Sequence, residues 1–213
     1  MFFLVFMILI SGISIPASIC AQDADGVDRV GRLYHHLDHA LDIAINRGYA
    51  YLATDLSGLQ IIDVSGQDNP LFVGYYDYIS GDARGVCALG RTILLTDTDF
   101  GLRFIDVTDP EAPAEIGHYE IDGRAVKVKL MDDLAFVVDF DNGLYIHDIA
   151  NINDIIELDF FETPGLTWDV FVNPDYAYIA NGLHGLRVVD IRDPFNMEEV
   201  GLYDTPGSAT EVY

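Results

Sequence analysis

The chain is short of cysteine, of positive charge and of recognisable catalytic signatures. Two cysteines in 213 residues, Cys20 and Cys87, exclude the disulfide framework that holds many small secreted domains together. If Cys20 leaves with an N-terminal leader, no intrachain disulfide is possible. Cys87 lies in an apolar strand pattern and reads as a small core residue. Lysine and arginine total 11 against 35 aspartate and glutamate, a formal charge of −24. A field of that sign repels nucleic acid and anionic lipid head groups, so neither is expected as a partner; it favours solubility and attracts cations. The acidic residues are spread along the chain, so there is no acidic tail. No G-x-S-x-G, H-E-x-x-H, P-loop or C-x-x-C occurs, and no enzyme is expected. A triad or carboxylate pair assembled only in space would leave no such trace.

The unbroken apolar run at residues 2–10 is too short to span a bilayer, which takes about 20 residues. Pro16 breaks it and "ASICAQDAD" follows. This reads as a secretory signal at residues 1–21, cleaved after Ala21, with no membrane span in the mature chain and a secreted, periplasmic or cell-surface location. Lipidation at Cys20 and a retained anchor are the alternatives.

What the sequence has in abundance is one phrase. "GLQIIDV" at 58, "GLRFIDV" at 101, "GLYIHDI" at 143 and "GLRVVDI" at 185 recur every 42 or 43 residues. Asp63, Asp106, Asp148 and Asp190 each stand five residues after the glycine. Tyr51, Leu94, Phe136 and Tyr178 keep the same spacing, as do Ile43, Val86, Val128, Val170 and Val212. A period of about 40–45 residues is a blade or solenoid signal. Within the third period the β runs are 125–130, 134–139, 143–148 and 155–161, rich in β-branched and aromatic residues and bounded by Gly, Asp, Asn or Pro. None has the length or period of a helix. Four antiparallel strands per period is the unit of an all-β propeller. The glycines are expected at positive φ, where the chain reverses into the third strand. The Asp ending that strand is expected to accept an N–H of the following turn.

The four phrases, with a following "DP" or "NP", resemble LVIVD repeats. The resemblance implies a propeller, as in secreted and surface proteins of bacteria and archaea, and is nearly silent on function. The third copy departs from the pattern, because "HDIANIND" lacks the proline. Blades are expected at about 39–77, 82–120, 124–162 and 166–204. Residues 28–34 match an outer strand and 208–213 begin a further blade. With the two middle strands between those ends missing, an open arc is expected, from a chain truncated at its C-terminus; a five-blade ring is the alternative.

The loops entering each first strand diverge where the structural positions repeat, and in propellers such loops converge around the axis. His39, Asp82, Arg84, Arg124 and Trp168 are therefore the candidate ligand-binding residues, with Trp168 suited to stacking on a sugar or aromatic group. Each also has a structural reading: packing between blades for Trp168 and solvated loop positions for the charged residues. His35, His36, Asp38 and His39 carry metal-ligating side chains without ligand spacing, so no metal is assigned. "DTDFG" (97–101) and "DFDNG" (139–143) resemble calcium loops but lack a distal bidentate acid, and they are good hairpin turns. No cofactor is expected. The expected role is a secreted or surface scaffold that presents loops to a protein or glycan. A hydrolase or lyase at the axial funnel and a calcium-stabilised surface protein are the alternatives.

Overall fold

A computed structural model describes residues 39–66, 68–77 and 81–213. The described residues form sixteen strands and no helix. The first blade is β1 (Asp42–Asn46), β2 (Tyr49–Ala53), β3 (Leu59–Asp63) and β4 (Leu71–Tyr76). The second is β5 (Ala83–Leu89), β6 (Thr92–Asp97), β7 (Gly101–Asp106) and β8 (Ala114–Tyr119). The third is β9 (Ala125–Met131), β10 (Leu134–Asp139), β11 (Gly143–Asp148) and β12 (Ile156–Glu162). The fourth is β13 (Asp169–Val172), β14 (Tyr176–Ala180), β15 (Leu186–Asp190) and β16 (Glu198–Tyr203). Each blade is one antiparallel sheet in chain order. The last run of the third period begins at Ile156 and ends at Glu162, one residue later than its sequence pattern suggests.

The repeated residues perform the expected local work. Gly58, Gly101 and Gly185 have φ of 66°, 86° and 77°, the left-handed region that side chains resist. The Oδ1 atoms of Asp63, Asp106, Asp148 and Asp190 accept the backbone N–H of Ser65, Thr108, Ala150 and Arg192 at 2.8–3.0 Å. Each carboxylate thereby ties the end of its third strand to the following turn.

A blade is apolar on both faces and buries them against its neighbours. Tyr51, Leu59 and Ile61 of the first blade pack on Ile93, Leu95 and Ile105 of the second. Leu94, Leu102 and Phe104 meet Ala135, Val137 and Ile149 of the third. Phe136, Leu144 and Ile146 meet Ile179, Val189 and Ile191 of the fourth. The first strands contact one another in series, β1 to β5, β5 to β9 and β9 to β13. The blades form an open arc rather than a closed ring. On the outward face of the fourth blade Tyr178, Leu186 and Val188 are half-buried, whereas the matching Tyr51, Leu59 and Ile61 are 3%, 0% and 0% exposed. Residues 208–213 do not form a strand. They are held by the bridge between Gly182 and Ala209 and by the Val212 N–H on Asp169 Oδ2, and among the described residues no strand pairs beside them to complete a ladder. Residues 28–34, the signal expected at 1–21 and His35, His36 and Asp38 lie outside the described residues.

Close backbone approach explains which glycines are demanding. A Cβ on Gly101 would fall on the carbonyl oxygen of Tyr119 and the amide nitrogen of Ile121, at φ +86°. Gly90, at φ +63°, has nothing within 4 Å of that position. Gly101→Ala is expected to cost about 3 kcal/mol or more, combining backbone strain with a backbone clash, and Gly90→Ala about 1 kcal/mol from strain alone. Urea unfolding of the two variants measures the difference; equal losses would remove the clash from the account.

Candidate functional site

The axial side is lined by the first strands. Asp42 accepts the Val86 N–H at 3.0 Å on Oδ2 and pairs with Lys127 at 2.9 Å through Oδ1, so one carboxylate ties the first blade to the second and third. Gly85 lies between them in the repeat. A Cβ there would come within 2.8 Å of the Lys127 Cα, which is why the intervening blade carries no side chain. Asp169 occupies the matching place in the fourth blade; its Oδ1 is buried without a hydrogen bond.

The loops at the end of the arc where each first strand begins are joined across the seams by backbone bonds. Asp55 and Ala83 exchange N–H and carbonyl at 3.2 and 3.0 Å, the Thr167 N–H reaches Phe140 O at 2.9 Å, and Gly182 and Ala209 exchange bonds at 2.9 Å. That stitching gives the mouth loops a fixed frame. It brings two of the five sequence candidates together through a residue that was not among them. The Arg124 guanidinium lies 4.5 Å over the Phe140 ring, and Phe140 meets Trp168 edge to face, 4.7 Å between centroids at 85°. Arg124 and Phe140 belong to the third blade and Trp168 to the entry of the fourth, so this stack spans a seam. Trp168 is therefore part of the packing between blades and yet stays 40% exposed.

Arg124 is held by Asp141 through two bonds of 2.6 Å, Nε to Oδ2 and Nη2 to Oδ1. The pairing lowers the Asp141 carboxyl and raises the guanidinium, so the stack carries a neutralised cation. The other candidates do not join it. Arg84 pairs with Asp82 at 3.5 Å in the second blade, and His39 lies exposed before β1. Sequence reading passed over Phe140 because it sits in a turn. Its column (Asp55, Thr98, Phe140 and Gly182) holds a single aromatic, and that was the available signal.

The two Asp-rich turns act as turns. Asp97 accepts the Asp99 N–H and Arg103 Nε. Asp139 accepts the N–H groups of Asp141 and Asn142 and the Asn142 side-chain amide. Their oxygens face protein donors, and no group of three or more His, Cys, Asp or Glu placed for a metal occurs among the described residues. Cys87 is free and half-buried. Burial pushes its thiol up, away from nucleophilic chemistry.

A search of curated proteins finds no match to this chain. Among solved structures the fold is similar to the crystal structure of the computationally designed Ika8 protein, at 7% identity and a TM-score of 0.63; the alignment covers 82% of this chain and 52% of that one. The chain thus spans about half the length of the designed protein, and the likeness concerns the fold alone. The LVIVD repeat model matches residues 38–78, 80–121, 122–163 and 164–205, bounds that fall between the blades described above. The chain belongs to the LVIVD repeat family.

Proposed function

We propose that this chain is a secreted or cell-surface interaction scaffold whose mouth loops take a protein or glycan ligand without catalysing its conversion. The supporting observation is the Arg124–Phe140–Trp168 stack: a rigid, partly exposed aromatic group placed where the repeats diverge, on a frame whose remaining positions repeat for packing. Large aromatics and arginine, fixed in place and still accessible, are the residues that carry binding energy at interaction sites. At the mouth Asp82 pairs with Arg84 and Asp141 with Arg124; the second pairing lowers the Asp141 carboxyl and raises the guanidinium, a poor arrangement for passing protons at neutral pH. The most strongly depressed base, His147, lies in a seam away from the mouth. The acidic surface fits an extracellular, soluble setting. Immobilised chain presented with polysaccharides and candidate surface proteins should bind through the mouth. Trp168→Ala with Arg124→Ala should remove that binding, and Glu198→Gln on the outer strand should leave it intact. Ligand binding indifferent to the mouth variants, or product released from ester, glycoside or polyuronate substrates, would sink this reading.

A further inference from the structure

We propose that Trp168 is the platform of a subsite for an uncharged saccharide ring, with Asp141 and the Arg124 it holds serving as the hydroxyl-binding rim. The assignment rests on the mouth being the interaction face and goes further by naming the ligand class. Three observations carry it. The indole is 40% exposed but held by the Phe140 ring, which meets it at 85°, and by its own backbone N–H on Ala180 O at 2.9 Å. It therefore offers a flat apolar surface at low entropic expense to the C–H face of a ring. Across the Phe140 ring that both Arg124 and the indole touch, the Asp141 side chain stays 41% exposed, with lone pairs beyond those spent on Arg124, and the guanidinium has N–H donors left over. An apolar face flanked by a planar donor–acceptor pair matches a pyranose, which is apolar above the ring and ringed by hydroxyls.

The charge balance sets the class. Arg124 is already neutralised by its two bonds to Asp141, and the chain carries −24, so an anionic sugar meets repulsion without a free counter-charge. A protein partner is less favoured by the local apolar area. Leu183 is 82% exposed nearby, but Leu56, its counterpart in the first blade, is 67% exposed with Leu41 in place of the tryptophan. That leucine is a feature of the turn and not of the Trp168 site, and the indole with the half-buried Phe140 ring and Leu166, 43% exposed, is small beside the roughly 800 Å² that each partner of a standard protein interface buries.

The chain has one tryptophan, so its emission reports this position alone. The full chain is titrated with cellotetraose, maltotetraose, tetra-N-acetylchitotetraose and, as the charged control, tetragalacturonate. At least one neutral oligosaccharide is expected to shift the emission saturably. By calorimetry Trp168→Ala should weaken that sugar by roughly tenfold or more, with Trp168→Phe in between, since about 1.4 kcal/mol of lost stacking is tenfold. Leu183→Ser should leave affinity within about twofold. Unchanged melting temperatures separate lost contact from lost fold. Silence with all neutral sugars, preference for tetragalacturonate, or equal loss on Leu183→Ser would each overturn the saccharide assignment. If the mouth variants still abolish binding of a protein, the interaction role survives and only the ligand class falls.

Discussion

Acidification from about pH 7 to pH 4 should destabilise this protein by about 3 kcal/mol through His147 alone, and His147→Ile should remove that loss. The imidazole sits in the seam between the second and third blades at 0% exposure. Tyr119 of β8 is 4.9 Å from it edge to face, and Tyr145 of β11 is at 5.8 Å. Neither ring nitrogen has a hydrogen-bond partner. Glu157 of β12 stands 4.0 Å from Nε2, too far for a hydrogen bond. Burial pushes the imidazole down to about 4 from its ordinary value of 6.5. The unfolded chain takes up a proton below pH 6.5 while the native seam refuses it until about 4. The stabilising effect of holding the ring neutral is therefore complete above 6.5, shrinks as pH falls between the two values, and shrinks no further below 4. Carboxylates titrate in the same range, and Asp97, raised by burial, acts in the opposite direction. The diagnostic is therefore the difference between wild type and variant across the pH series. At neutral pH the variant should gain about 1 kcal/mol or more, because two unsatisfied buried nitrogens give way to the aliphatic residue found at Ile62, Ile105 and Val189. Parallel acid slopes for the two proteins would show that His147 is not desolvated.

His147 also marks where the sequence stops being informative. The period, the glycine turns and the aspartate caps are backbone requirements. A backbone requirement recurs in every copy, so four copies made the four-stranded blades and the open arc readable from spacing. The inner ties depend on which residue replaces which within a column. Asp42, Gly85, Lys127 and Asp169 occupy one column, and only the fold shows that Asp42 reaches across the glycine to the lysine. Similarly, Gly74, Gly117 and Gly201 share a column with Asp159. A Cβ on Gly74 would strike the Pro110 carbonyl of the next blade, while Asp159 accepts the Met197 N–H of its next blade at 2.6 Å. The third repeat thus solves its outer seam with a side chain where the first uses close backbone approach. At the mouth, Arg124 and Trp168 stand out in the sequence because the repeats diverge there. Phe140, which joins them, was hidden because it comes from the turn between the second and third strands of its blade and not from an entry loop.

A second large effect is expected from the polar chain that ties the first blade to the second. Arg103 donates through Nε to Asp97 Oδ2 at 2.9 Å and through Nη1 to Glu115 Oε2 at 2.8 Å, and the Tyr76 hydroxyl of the first blade donates to that same Glu115 oxygen at 2.5 Å. Asp97 is 0% exposed. Arg103→Gln leaves its carboxylate buried without the arginine charge, and removing one partner of such a pair costs about 3–5 kcal/mol. The first blade shows the alternative: its matching residues are Thr54 and Gln60, both buried, with the Thr54 hydroxyl on Gly58 O at 2.9 Å. Transplanting that pair as Asp97→Thr with Arg103→Gln removes the stranded charge and should recover more than half of the loss, a coupling of about 2 kcal/mol in a double-mutant cycle. The sign of the pH dependence checks the cause. Burial already holds the Asp97 carboxyl above its ordinary range, and loss of Arg103 raises it further. The single variant should then recover stability as pH falls and the buried carboxylate takes a proton, whereas the double variant, lacking that carboxylate, should not. Chemical unfolding of the four proteins at about pH 5 and pH 8 gives both readings. Additive losses with no pH dependence would mean that Asp97 is solvated and that the first seam is held by its apolar face alone.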